Sequence, residues 1–140
     1  MNRPAIRPAR RALLTGAAAL TLALATPATA GAATPTTDPA CTVTYTIKSQ
    51  FPSHFFVSIS INNTGPTAIN SWRLTWTFTD GQRVTNMFGA RAAQTGPDVS
   101  ADSLPWDSTI QPGAILPNVG FYGTWNNATN SIPTVSCQTT

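Results

Sequence analysis

SWRLTWTFT, residues Ser71–Thr79, is the stretch whose alternation decides the fold. Trp72, Leu74, Trp76 and Phe78 fall on one parity; Arg73, Thr75, Thr77 and Thr79 fall on the other. Successive side chains of a strand face opposite sides, so the stretch predicts a β-strand with one face of large apolar groups. A helix would scatter the two indoles around its cylinder and waste the β-branched threonines. Two tryptophans and a phenylalanine, at roughly 150–250 Å² each, suffice to anchor the core of a small domain. The stretch therefore reads as a central strand of a sandwich.

Short strands are spaced evenly on both sides of it. In Cys41–Lys48, Val43, Tyr45 and Ile47 alternate with Thr44, Thr46 and Lys48. In Phe55–Asn62 the inward set is Phe55, Val57, Ile59 and Ile61, and Asn63-Thr64-Gly65-Pro66 follows as a turn. Asp80-Gly81 carries a hairpin signal into a strand at Gln82–Phe88. Further strands are predicted at Asp98–Ser103, around Ile115–Leu116, at Val119–Tyr122 and near Thr134–Cys137. Many short alternating runs, with Gly, Pro and Asn between them and no helical period, predict an all-β, antiparallel β-sandwich of immunoglobulin-like or jelly-roll-like form.

The chain has 140 residues and a formal net charge of +3, but the charge is unevenly placed. Arg3, Arg7, Arg10 and Arg11 precede the apolar run Ala12–Ala25, which ends in Ala28-Thr29-Ala30. A basic start, a short apolar run and an A-x-A site predict a secretory signal peptide over residues 1–30. Residues 31–40, GAATPTTDPA, read as a flexible lead-in, and residues 41–140 as one domain. Beyond residue 30 only Lys48, Arg73, Arg83 and Arg91 oppose five aspartates, a net charge of −1. Such a surface has no footprint for phosphate and no amphipathic segment for a membrane, so neither nucleic acid nor membrane is an expected partner. Cys41 and Cys137 are the only two cysteines, and in an exported chain they predict one disulfide joining the domain's ends.

Catalytic and metal chemistry is poorly provided for. The five acidic residues are all aspartates, and Asp80, Asp98, Asp102 and Asp107 read as turn chemistry in or beside loops. The single histidine, His54, is expected in a surface loop and cannot build a histidine-rich metal site. No enzyme activity, metal or cofactor is expected. Asn62-Asn63-Thr64 and Asn127-Ala128-Thr129 match the glycosylation acceptor pattern.

Several aromatics are left over once the core is filled. Phe51, Phe88 and Trp106 lie in polar or turn-like settings at or beyond strand ends, and Phe56 and Tyr122 fall on the outward parity of theirs. A row of exposed rings with amide and hydroxyl neighbours suits sugars. The C–H face of a pyranose stacks on a π-face while its hydroxyls bond at the edge.

In order and spacing, Cys41–Cys137 resembles a family 2 carbohydrate-binding module, the bacterial cellulose-binding domain. The resemblance rests on the cysteine pair, Ser49-Gln50-Phe51, Phe55 through Gly65, Ser71 through Phe78 and Gly81 through Asn86. It continues in Gln94-Thr95-Gly96, Pro105-Trp106-Asp107, Pro112-Gly113 and Gly120-Phe121-Tyr122-Gly123. It implies a β-sandwich with three coplanar surface rings for cellulose, at Phe51, Phe88 and Trp106, and a buried tryptophan at Trp72. Two of the three ring positions hold phenylalanine where the family has tryptophan. Ser49, Ser58 and Asn86 match polar helpers, Tyr122 stands where the family often has an amide, and Asp107 replaces an asparagine. Gly113–Val119 is one residue longer than usual. The expected partner is an insoluble polysaccharide, cellulose foremost with chitin or xylan beside it, bound by a secreted monomer. Its binding should be weaker than the family norm unless Tyr122 and Phe56 share the face and compensate. The alternative is a secreted protein-interaction or inhibitor module that no longer binds glycan strongly.

Overall fold

The computed structural model describes residues 31 and 40–139. The expected leader at residues 1–30, and all of the lead-in but Gly31 and Ala40, lie outside the described residues. Regular structure among the described residues is all strand. In chain order these are β1 (Cys41–Phe51), β2 (His54–Asn63), β3 (Trp72–Thr77), β4 (Arg83–Phe88), β5 (Ala90–Thr95), β6 (Asp98–Ser103), β7 (Ile115–Thr124) and β8 (Ser136–Thr139). They form two four-stranded antiparallel sheets, ordered β1-β2-β7-β4 and β5-β6-β3-β8. The fold is the all-β sandwich that the alternation predicts.

Its interior follows the parities read from the sequence. Phe55, Val57, Ile59 and Ile61 of β2 meet Trp72, Leu74 and Trp76 of β3, with Phe78 just beyond, and all are buried. Phe121 of β7 is the hub between the sheets. Trp76 lies parallel to it at 5.8 Å between centroids, while Phe55 and Phe78 meet it edge-on at 5.7 and 6.2 Å. Offset-parallel and edge-to-face contacts at these distances are the favourable geometries for aromatic quadrupoles. Trp72, matched above to the family's buried tryptophan, is also inside.

The two flanks are closed differently. On one, the Cys41–Cys137 disulfide links edge strand β1 to edge strand β8, across 96 residues of chain. On the other, the chain turns from β4 into β5 through Gly89 at φ +71°; a Cβ there would stand 2.3 Å from the Asn118 carbonyl oxygen. Only glycine fits this corner. Gln94 of β5 reinforces it, accepting from the Val84 amide at 2.9 Å and donating to the Gln82 carbonyl at 3.0 Å.

Several local expectations need correction. Asp80-Gly81 does not close a hairpin: β3 and β4 belong to different sheets, and the pair turns a corner between them. The runs at Ile115–Leu116 and Val119–Tyr122 are one strand, β7, and the shift between Ile59 and Ile61 of β2 absorbs an extra residue on the β7 side. The surplus in Gly113–Val119 is thus taken up as a bulge. β5 has no counterpart among the strands predicted from sequence. Asp98 and Asp102 are strand residues of β6 rather than turn residues: Asp98 accepts from the Thr77 hydroxyl at 2.7 Å and Asp102 pairs with Arg73. His54 opens β2 instead of occupying a loop.

Candidate aromatic binding face

The outer surface of the first sheet is set by the pairing register. Each row crosses the strands in the order β1, β2, β7, β4. One row reads Phe51, His54, Thr124, Arg83; the next Ser49, Phe56, Tyr122, Asn86; the third Thr46, Ser58, Gly120, Phe88. Six of the seven residues expected to bind ligand therefore stand on one face. None of the four strands contains an acidic residue.

Strict alternation would have put two of those rings inside. Val43, Tyr45 and Ile47 point inward along β1, and continuing the parity would send Ser49 and Phe51 after them. The register shifts between Ile47 and Ser49, and both then face out. In β4 a shift between Val84 and Asn86 does the same for Asn86 and Phe88. Bulges re-aim side chains in this way by adding one residue to one strand of a pair. The two edge strands each use one to deliver a ring.

Between those edges the rings touch. Phe56 and Tyr122, cross-strand partners on β2 and β7, lie 4.9 Å apart, and Phe88 lies 5.9 Å from Phe56 and 6.5 Å from Tyr122. Phe88 can lie flat because its partner is Gly120: a Cβ there would stand 2.5 Å from the Phe88 ring. At the opposite corner Phe51 stacks on His54, 5.9 Å apart and 18° from parallel. Phe51 remains 48% exposed, Tyr122 47% and Phe88 38%. The face thus carries one ring per strand in an oblique course from Phe51 through Phe56 and Tyr122 to Phe88.

Trp106, 79% exposed, lies off the sheet in the turn after β6. Asp107 closes that turn, its carboxylate accepting from the Leu104 amide at 3.0 Å and its own amide donating to the Leu104 carbonyl at 3.1 Å. The buried Trp72 indole donates to the Asp107 carbonyl at 3.1 Å, so a core residue fixes the turn that displays Trp106. Ser103, three residues before Trp106, pairs with Ala90, two residues after Phe88. The turn therefore sits at the Phe88 end of the oblique course.

A groove of about 890 Å³ runs along the outer face of the opposite sheet, between Thr75, Thr77 and Ser100 and a wall at Ile132–Thr134. It displays no exposed ring. Among the described residues no three His, Cys, Asp or Glu side chains converge on a common point.

Trp125 escaped the sequence reading. Its indole donates to the Phe51 carbonyl at 3.0 Å and its amide to the Ser53 carbonyl at 3.2 Å. A tryptophan following β7 gives no sequence signal of a partner 74 residues earlier.

Known proteins share this arrangement of sequence and fold. A family model described as "Cellulose binding domain" matches residues 41–139. Exoglucanase A of Cellulomonas fimi is 37% identical over 94 residues, 67% of this chain and 10% of the enzyme. Exoglucanase B of the same organism is 39% identical over 106 residues, 76% of this chain and 9% of the enzyme. The chain thus spans about a tenth of the length of these curated relatives. The solved chitin-binding domain of Chi18aC from Streptomyces coelicolor superposes with a TM-score of 0.56 at 29% identity, covering 69% of this chain and 90% of that one. With two bulge-aimed rings on a sheet face without carboxylates and a family match spanning both sheets, the chain belongs to the cellulose-binding domain family of polysaccharide-binding modules.

Proposed function

We propose that this protein is a secreted, non-catalytic and monomeric module that adsorbs to an insoluble β-1,4-linked polysaccharide, cellulose foremost. Phe51, Phe88 and Trp106 serve as stacking platforms, and Ser49, Ser58, Asn86 and Tyr122 bond sugar hydroxyls beside them. The observation that carries this reading is the contact between Phe56, Tyr122 and Phe88 on a face without carboxylates. Rings gathered in the open, where they bury none of their outer surface, are a standing cost unless an apolar partner covers them. A pyranose chain presents such a partner without charge. The relationship to a chitin-binding domain makes chitin the nearest alternative polymer, with xylan a further one.

Each ring laid flat on a sugar removes about 100 Å² from water, roughly 2–2.5 kcal/mol. Three give about 6–7.5 kcal/mol, against an association cost of similar size. Adsorption therefore depends on every ring, and the touching Phe56–Tyr122 pair supplies area that the two phenylalanines lack relative to indole. Export follows from the basic and apolar leader at residues 1–30.

The test is a depletion assay of the exported protein over microcrystalline cellulose, chitin and xylan. Trp106→Ala is expected to lose most retention on the preferred polymer while unfolding at nearly the native temperature. Full retention by that variant overturns its assignment to the face. Retention of the native protein on none of the polymers overturns the glycan reading itself.

A further inference from the structure

Ser53 and Asn127 are the two non-glycine residues with positive φ among the described residues, at 65° and 63°. They hold each other. The Ser53 amide donates to the Asn127 side-chain oxygen, and the Asn127 side-chain amide donates to the Ser53 hydroxyl at 3.1 Å. A serine in the left-handed region is strained and persists only where its surroundings impose it, while asparagine enters that region more readily. Two such residues, 74 positions apart and locked reciprocally, mark a junction that the fold maintains against local preference.

What the junction holds is the hairpin that presents Phe51. Ser53 lies in the β1–β2 turn, two residues past Phe51. Asn127 lies in the strap that leaves β7, and that strap holds the hairpin at Gln50, Phe51 and Ser53. Trp125 donates through its indole to the Phe51 carbonyl and through its amide to the Ser53 carbonyl. Asn130 donates to the Gln50 side-chain oxygen at 2.9 Å. The strap is itself anchored behind, at the corner after β3. Buried Gln82 donates to the Asn130 side chain and the Ser131 carbonyl, both at 3.2 Å. Asp80 accepts from the Ser131 amide at 2.8 Å through its carboxylate and from the Asn126 side chain at 3.2 Å through its carbonyl.

We propose that Trp125 and Asn127 are positioning residues for Phe51: the strap from Trp125 to Asn130 clamps the β1–β2 turn so that the edge ring stands ready for the polysaccharide. This rests on the reading of the face given above for its consequence in adsorption, but not for the clamp itself. A ring on a free edge hairpin would have to be ordered on binding, which weakens adsorption. The clamp meets that cost during folding. It matters more here than it would with an indole at this corner, because Phe51 offers less area to offset ordering.

The test uses Asn127→Gly, which suits the positive φ while deleting both side-chain bonds, and Trp125→Phe, which keeps a ring but removes the indole donor. Amide relaxation of residues Gln50–Ser53 reads the clamp without any ligand. Both variants are expected to raise fast mobility there and to leave the β7 amides unchanged; unchanged order at Phe51 overturns the proposal. Adsorption to microcrystalline cellulose and to chitin is read beside it, in the native and in the Phe51→Ala background. Each variant is expected to weaken adsorption roughly three- to tenfold in the native background and to have no effect once Phe51 is alanine. Equal losses in both backgrounds assign the two residues to general stability and overturn the positioning role. Raised mobility with unaltered adsorption by all variants, Phe51→Ala included, sustains the clamp and overturns the reading of the face.

Discussion

Phe51 and Phe88 stand where the family resemblance implies tryptophan, and their surroundings show what the smaller ring changes. Phe88 lies over Gly120, with its plane set by the absence of a Cβ beneath it. Phe51 rests on His54 at 5.9 Å. Both seats are open on the solvent side, so a wider ring has room to extend outward. Phe51→Trp adds on the order of 30 Å² of stacking area, about 0.7 kcal/mol, so adsorption is expected to tighten about threefold in depletion isotherms. Phe51, Phe88 and Trp106 were legible from sequence because each stands beside Pro or Gly instead of within an apolar run. The reason they point outward was not legible. Parity counted from Ile47 or Val84 sends Phe51 and Phe88 into the core, and a bulge is decided by the partner strand, which a linear reading does not contain.

Elements were legible in proportion to how much they bury. β2 and β3 place large apolar residues on alternate positions, and both were found. β5, Ala-Arg-Ala-Ala-Gln-Thr, fully buries only Ala90 and has no branched residue before Thr95, so it carries neither pattern nor propensity. It is a strand because β6 pairs along its full length. The corner after β3 failed for another reason. Asp80-Gly81 has the chemistry of a tight turn, with Gly81 at φ +75°, but turn chemistry does not say which sheet the next strand joins. Here the corner serves the strap instead. The Asp80 carboxylate is held below its ordinary pKa, chiefly by the Ser131 amide and then by the Ser131 side chain. A depressed folded pKa means that the charged form is favoured by folding. The contribution is complete above the ordinary aspartate value of about 4 and is lost as pH falls through the lower folded value. Thermal unfolding followed from pH 6 to pH 2 is thus expected to show a fall in midpoint on the acid side that Asp80→Asn diminishes. An identical acid limb in the variant would mean that other carboxylates set it.

For the whole molecule, the sandwich separates what holds it together from what it presents. The two sheets meet through Phe121, Trp76 and Phe78, whereas Phe56, Phe88 and Tyr122 of the outer face stack on one another. One flank is closed by the Gly89 corner; the other depends on the disulfide, since β8 is four residues long and pairs only with β3 among the strands. Cys41 is buried against the core, and its bond to Cys137 joins strands that share no backbone ladder. Closing a loop of 96 residues removes chain entropy from the unfolded state worth about 4–5 kcal/mol in the polymer model, and native bridges in small exported domains are worth about 2–5 kcal/mol when removed. That is a large share of the 5–15 kcal/mol that holds a domain of this size. The double variant Cys41→Ser with Cys137→Ser is therefore expected to lose about that much unfolding free energy, with a lower denaturant midpoint and a steeper slope, because its unfolded chain is no longer cross-linked. The aromatic face is built on β1, β2, β7 and β4, with its edge ring Phe51 at the opposite end of β1 from Cys41, so the same variant should adsorb normally wherever it remains folded. Lost adsorption at a temperature where circular dichroism still reports the native sheet would show that the flank and the face are coupled. Retained adsorption shows that the bridge acts on the unfolded chain, leaving the rings to the bulges and the strap.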